Sequence, residues 1–186
     1  MSYIRWYLDE IGRILAQLPQ DQIAQIIDIL RRARLARKHI FLIGNGGSAA
    51  TASHFANDLL KSTVSEDKPR MRVFALTDNI PVMLAYANDC GYETIFAEQL
   101  DALATPGDVL IAFSGSGSSP NVLRALDLAQ ARGMTTIGLT GRDGGQMRDR
   151  CDVCLTAPCD PMEQIEDVHM VLTHLIYSAI RDEAEL

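Results

Sequence analysis

Four groups of residues in this chain have the types and spacings that chemistry needs. The first is Ser114-Gly115-Ser116-Gly117-Ser118-Ser119, which follows the apolar run Val109 to Phe113 and precedes the helical pattern Val122, Leu123, Ala125, Leu126 and Ala129. A strand that ends in such a loop and leads into a helix offers unpaired backbone N–H groups and the positive end of the helix dipole, which together favour an anion. The Ser hydroxyls add neutral donors. No Lys stands where a nucleoside-triphosphate P-loop requires one, so the loop suits a sugar phosphate better than a nucleotide. As a plain turn, the same stretch would use Ser119 only as a helix N-cap.

The second group, Gly44-Asn45-Gly46-Gly47-Ser48, also links an apolar run, Ile40 to Ile43, to a helix through Ala49 to Leu60. Its letters fit the loose dinucleotide pattern, but no acidic residue closes a strand about 20 residues on, which argues against nicotinamide. The third group lies on that helix: His54 and Asp58 are spaced i,i+4 and share a face, as a solvated contact or as a site. The fourth is Glu166 and His174, which at 3.6 residues per turn come within about 80° of each other around their helix. Two His and two carboxylates on two helices are the ligand types of zinc and the groups of acid–base catalysis. Asn88-Asp89 can bond sugar hydroxyls or simply end a helix, and Arg142 can reach a phosphate or stay a turn residue.

The elements that must carry these groups follow from periodicity. Apolar spacing predicts helices over Tyr3 to Leu18, ended by Pro19, and over Ile23 to Ala36. Strands Ile40 to Ile43, Val73 to Leu76, Val109 to Phe113, Thr135 to Leu139 and Val153 to Thr156 then alternate with helices over Pro81 to Ala87, around Ile95 to Leu103, after Ser119, and over Pro161 to Ile180. The fourth strand also leaves by a Gly-rich exit, Thr140-Gly141-Arg142-Asp143-Gly144-Gly145. Gly-rich loops at strand ends fit the rule that open parallel sheets bind ligands there. The fold class expected is therefore α/β, a doubly wound parallel sheet flanked by helices in three layers, with an N-terminal helical pair.

The 186 residues suffice for one well-buried domain: the helical pair over 1–37 and an α/β core over 38–186. A net charge of −7 gives no general attraction to nucleic acid or anionic membrane, so an anionic ligand must be held locally. No apolar run reaches membrane-span length and no signal peptide is recognisable, so a cytoplasmic protein is expected. Cys151, Cys154 and Cys159 form a C-x2-C-x4-C cluster. Residues three apart on a strand point to opposite faces and no fourth ligand follows at zinc-finger spacing, so these are read as ordinary reduced thiols.

Gly44-Asn-Gly-Gly-Ser with His54-Phe-Ala, then Asn88-Asp89, Ser114-Gly-Ser-Gly-Ser-Ser, Thr140-Gly with Gly144-Gly145, and His169 through His174 occur in the order seen in phosphoheptose isomerases. Over nearly its full length the chain resembles that family of sugar isomerase (SIS) domain proteins. The resemblance implies a homotetramer that converts sedoheptulose 7-phosphate to a heptose 7-phosphate, with active sites between subunits and zinc in many members. It implies sugar-phosphate contacts from Asn45, Gly46, Gly47, Ser48, Ser114, Gly115, Ser116 and Ser119, with Asn88, Asp89 and Glu166 along the sugar. His54 and His174 match the histidine ligands, and Asp58 and Glu166 complete the expected metal set. Two positions depart from the family pattern: Asp58 replaces its usual catalytic Glu, and Glu166 its usual Gln. Asp58, Glu166 and His174 are accordingly the expected proton-transfer groups. The rival readings are a non-catalytic sugar-phosphate sensor or adaptor of the same fold, and an isomerase of another phosphosugar.

Overall fold

A computed structural model describes residues 2–186 of the chain. The apolar runs become strands β1 (His39–Gly44), β2 (Arg72–Ala75), β3 (Val109–Ser114), β4 (Thr135–Gly141) and β5 (Val153–Ala157). Among the described residues they form one all-parallel sheet in the order β2-β1-β3-β4-β5. Successive side chains on a strand face opposite ways, so β1 sends Ile40 and Leu42 to one core and Phe41 and Ile43 to the other. Both faces are thus apolar and both need helices, the usual condition of a parallel sheet.

On one face lie α1 (Tyr3–Leu15), α2 (Gln20–Leu35), α3 (Gly47–Asn57) and α7 (Met162–Arg181), which contribute Ile14, Ile27, Leu30, Phe55, Val168 and Leu172 to the first core. On the other lie α5 (Ala97–Leu103) and α6 (Pro120–Ala131), which bury Leu100, Val122 and Leu126. α4 (Ile80–Asp89) packs on the same side, but none of its residues is buried although most are apolar. α1 stops earlier than its periodicity predicts. Gln17 and Leu18 donate to carbonyls only three residues back, and this tightening leads into the extended backbone of Pro19, whose carbonyl then caps α2.

The connections after β1 and β3 leave toward opposite faces, α3 to one and α6 to the other. Strand order reverses between these neighbours, and this is where an open α/β sheet has a crevice at its carboxyl edge. The Gly44 to Ser48 and Ser114 to Ser119 stretches border that crevice.

His169, midway along α7, is fully buried and its Nε2 lies 3.0 Å from the Thr140 carbonyl. A carbonyl only accepts, so Nε2 carries the proton and Nδ1 is left without a partner. Burial pulls this imidazole from 6.5 down to about 4, against the smaller opposing effect of the Thr140 bond. Between those values the unfolded chain binds the proton and the folded chain does not. Stability present above pH 6.5 is therefore lost as pH falls toward 4, by roughly 3 kcal/mol. Urea titrations at pH 7 and pH 5 should show somewhat over half of that loss, about 2 kcal/mol, in the wild type and a smaller one in His169→Gln.

Candidate active site

The loops after β1 and β3 close a hollow of about 260 Å³ lined by Asn45, Gly46, Gly47, Ser48, Phe113, Ser114, Gly115, Ser116, Ser119, Met162 and Glu166. The first turns of α3 and α6 both begin here, so two dipole ends converge on it. α3 adds the unpaired N–H groups of Gly47 and Ser48, whereas α6 opens on Pro120, which has none, and the Val122 and Leu123 N–H groups already bond Ser119 O. Ser119 occupies the N-cap of α6 but makes no side-chain cap; its hydroxyl lies 3.3 Å from that of Ser114 and remains available to a ligand. Ser118 turns away, its Oγ accepting from Gln146 N–H at 3.3 Å. No Lys or Arg lines the hollow, and Glu166 is its one ionisable side chain. An anion bound here is held by hydroxyls and peptide dipoles.

Two glycines permit this geometry. Gly117 has φ +61, and a Cβ there would collide with the Gly144 carbonyl. The Gly-rich exit of β4 is thereby free to pack against the Ser loop, with Met147 N–H donating to Gly117 O at 2.9 Å. A Cβ on Gly47 would overlap the Glu166 carboxylate, which therefore rests on the first turn of α3. Arg142 takes no part: it is an exposed turn residue at φ +58 whose N–H donates to Cys159 O at 3.0 Å.

Asn45 is fixed by partners that the spacing in sequence did not reveal. Its Nδ2 donates to Asn121 Oδ1 at 2.9 Å, Asn121 Nδ2 donates back to Asn45 Oδ1 at 2.8 Å, and Tyr92 OH donates to the same Oδ1 at 2.9 Å. With Oδ1 accepting twice, what Asn45 keeps for a ligand is its second N–H, a donor. Asn121 is 2 % exposed and is a positioning residue for Asn45. Asn121→Ala should raise KM for a phosphorylated ligand by about tenfold, the value of one misplaced hydrogen bond from an Asn45 amide that has lost its two bonds to Asn121, with kcat little changed. Steady-state kinetics on that variant and on Tyr92→Phe, whose exposed phenol should matter less, check this.

Farther along the α3–α7 contact lies the second constellation. α3 ends in a π-helical turn, Asp58–Ser62, an irregularity that regular helical spacing does not predict and that recurs at functional sites. Asp58 Oδ2 lies 3.3 Å from His54 Nε2 and 3.8 Å from His174 Nε2, and the two ring nitrogens face each other at 3.2 Å. The Asp58 side chain is 10 % exposed and its Oδ2 has no hydrogen-bond partner, while the two imidazoles are about half exposed. A buried orphan carboxylate oxygen facing two imidazole nitrogens fits a divalent cation with the N and O preferences of zinc. Among the described residues His54, Asp58 and His174 are the one group of three or more such ligand atoms that converge, all within 4.8 Å.

Of the four residues expected to share a metal, three meet. Glu166 stands apart from them, in the anion hollow. Asn88 and Asp89 sit exposed at the end of α4, bonded to each other at 2.7 Å, and do not line the hollow. Phe113, Met162, Asn121 and Tyr92 belong to the site or its support without having been anticipated.

The sequence profile of the SIS domain family matches residues 6–141. A phosphoheptose isomerase of Burkholderia pseudomallei is 38% identical over 181 residues, covering 95% of this chain and 91% of that protein. The solved phosphoheptose isomerase GmhA from Neisseria gonorrhoeae superposes with a TM-score of 0.88 at 31% identity, covering 97% of both chains. That from Francisella tularensis does so with a TM-score of 0.89 at 29% identity, covering 96% of both. The chain thus belongs to the phosphoheptose isomerase family of SIS domain proteins.

Proposed function

We propose that this chain is an aldose–ketose isomerase that interconverts sedoheptulose 7-phosphate and D-glycero-D-manno-heptose 7-phosphate through an enediol. The observation that carries the reading is that two constellations suited to the two ends of a sugar phosphate lie along the same pair of helices, α3 and α7. An anion hollow begins at Gly47, and the His54, Asp58 and His174 cluster begins seven residues, or roughly 10 Å, farther along α3. Phosphate at one end places the carbonyl end of an extended sugar near the other. Binding energy gained on the remote phosphate then orients the reacting carbons.

The residues divide the work. His54, Asp58 and His174 hold the cation, zinc in this reading. When bound, such an ion supplies Lewis-acid polarisation of the sugar carbonyl. Asp58, at the cluster end where the carbonyl is placed, moves the proton between C1 and C2, and Glu166, in the anion hollow, faces the phosphate end of the sugar. His174, whose ring borders the cluster from the α7 side, hydrogen-bonds the sugar oxygens or the groups that protonate them. The Asn45 N–H and the Ser114, Ser116 and Ser119 hydroxyls fix the phosphate, and Asn88 and Asp89 meet the sugar only if α4 or a second copy approaches.

The assembly in this reading is a homotetramer in the cytoplasm. Its support is the unburied apolar surface of α4, including Ile80 and Leu84, and the exposed Tyr3, Ile4 and Leu8 of α1, which a second copy would cover. No helix among the described residues is long and apolar enough to cross a membrane. The experiment that tests the function is turnover of sedoheptulose 7-phosphate followed by NMR of the sugar C1 and C2 protons. Activity should be lost on chelation and restored by zinc. Absence of turnover with retained binding would instead favour the sensor reading.

A further inference from the structure

The cysteine pair left aside by this function is placed in an unexpected way. Cys151 lies in the bend ahead of β5, outside the strand, so the alternation that would send Cys151 and Cys154 to opposite faces does not apply. Both thiols instead occupy the space above Gly138, Cys154's neighbour on β4. The point where a Gly138 Cβ would sit is 2.8 Å from Cys151 Sγ and 3.2 Å from Cys154 Sγ. The two sulfurs share that space with Met147 Cε, 3.1 Å from the same point, over a residue that has no side chain of its own.

Their surroundings make them unequal. Hydrogen bonding from Cys151 draws the Cys154 thiol from 9.0 down to about 7; the Thr140 and Thr156 hydroxyls and the Arg148 guanidinium add to this, against burial. The same contact, and then burial, push Cys151 up. Cys154 also lines an open hollow of about 260 Å³ with Arg142, Arg148, Asp143 and Thr156, so the sulfur that is more readily a thiolate is the one facing solvent and two guanidinium groups. Thiolates are the nucleophiles of disulfide exchange, and cationic neighbours favour them.

We propose that Cys151 and Cys154 form a redox-active dithiol that reduces a low-molecular-weight disulfide carrying carboxylates, Arg142 and Arg148 receiving its negative charge. The Cys154 thiolate attacks one sulfur of that disulfide, forming a mixed disulfide and releasing the first thiolate. Cys151, losing its proton to solvent, then attacks the Cys154 sulfur and releases the second. The two cysteines lose two electrons and two protons, and the incoming disulfide becomes two thiols.

The test uses the full chain, first unaltered and then with Cys90→Ser and Cys159→Ser, treated with oxidised glutathione, acid-quenched and mapped by mass spectrometry. The expected result is an internal Cys151–Cys154 disulfide in both, two hydrogens lighter and without retained glutathione, reversed by a dithiol reductant. Adding Cys151→Ser should trap one glutathione on Cys154, and Arg148→Gln should slow its uptake several-fold at low salt. Thiols at 151 and 154 that stay titratable in the unaltered chain would overturn the proposal, as would glutathione retained on Cys151 or a disulfide from either cysteine to Cys159.

Discussion

His174→Ala removes turnover and leaves the fold intact. The imidazole stands on the open side of α7, its side chain 48 % exposed, so its loss opens no core cavity and should change unfolding free energy by no more than about 0.5 kcal/mol. It is also one of three ligand atoms that converge within 4.8 Å. Without it a cation keeps only His54 and Asp58, and the sugar loses the proton-handling group on its α7 side. The expected fall in kcat/KM is at least about 10²- to 10⁴-fold, with zinc affinity falling alongside. Kinetics, a thermal melt and a zinc titration on the same preparation separate these effects. Wild-type activity in His174→Ala would remove this residue from the mechanism.

Glu166→Gln should produce the second large effect, tighter substrate binding. The carboxylate rests on the first turn of α3, where the unpaired N–H groups of Gly47 and Ser48 would otherwise be fully available to a phosphate. Making it neutral removes a repulsive charge from the anion hollow, so KM for the phosphosugar should fall. With the base at Asp58, kcat should change little in this variant, and a fall of about 10²-fold or more would move the base to Glu166. Asp58→Glu added to Glu166→Gln gives the pair that the family resemblance implies and should raise kcat above that of Glu166→Gln alone, since geometry limits proton transfer before acidity does.

Much of this arrangement was legible in the chain because it depends on short-range rules. A Ser-Gly stretch after five apolar residues must lie at a strand end, and His54 with Asp58 must share a face of any helix that contains them. The alternation of strands and helical patterns was enough for the parallel, doubly wound sheet. What could not be read depends on residues distant in sequence or on departures from regular geometry. Asn121 and Tyr92 reach Asn45 only because α6 and the turn after α4 meet the β1 exit. The π turn over Asp58–Ser62 is a local irregularity that periodicity does not encode. Glu166 and His174 do lie on neighbouring stripes of α7, but eight residues of rise, roughly 12 Å along the helix, give one to the anion hollow and the other to the cluster. Cys151 escaped the strand rule by a single bend.

Phosphate held at the Ser114–Ser119 loop and bond chemistry at the His54, Asp58 and His174 cluster would make the enzyme read the length of its substrate. The measurement is kcat/KM for sedoheptulose 7-phosphate beside that for a five-carbon 2-ketose 5-phosphate, on the zinc-loaded protein. With its phosphate in the Ser114–Ser119 hollow, the shorter sugar would hold its carbonyl two carbons short of the His54, Asp58 and His174 cluster. Misplacement on that scale costs about 10²-fold or more. At least that preference for the seven-carbon sugar is expected. Equal turnover of the two, or a preference for the shorter one, would contradict it.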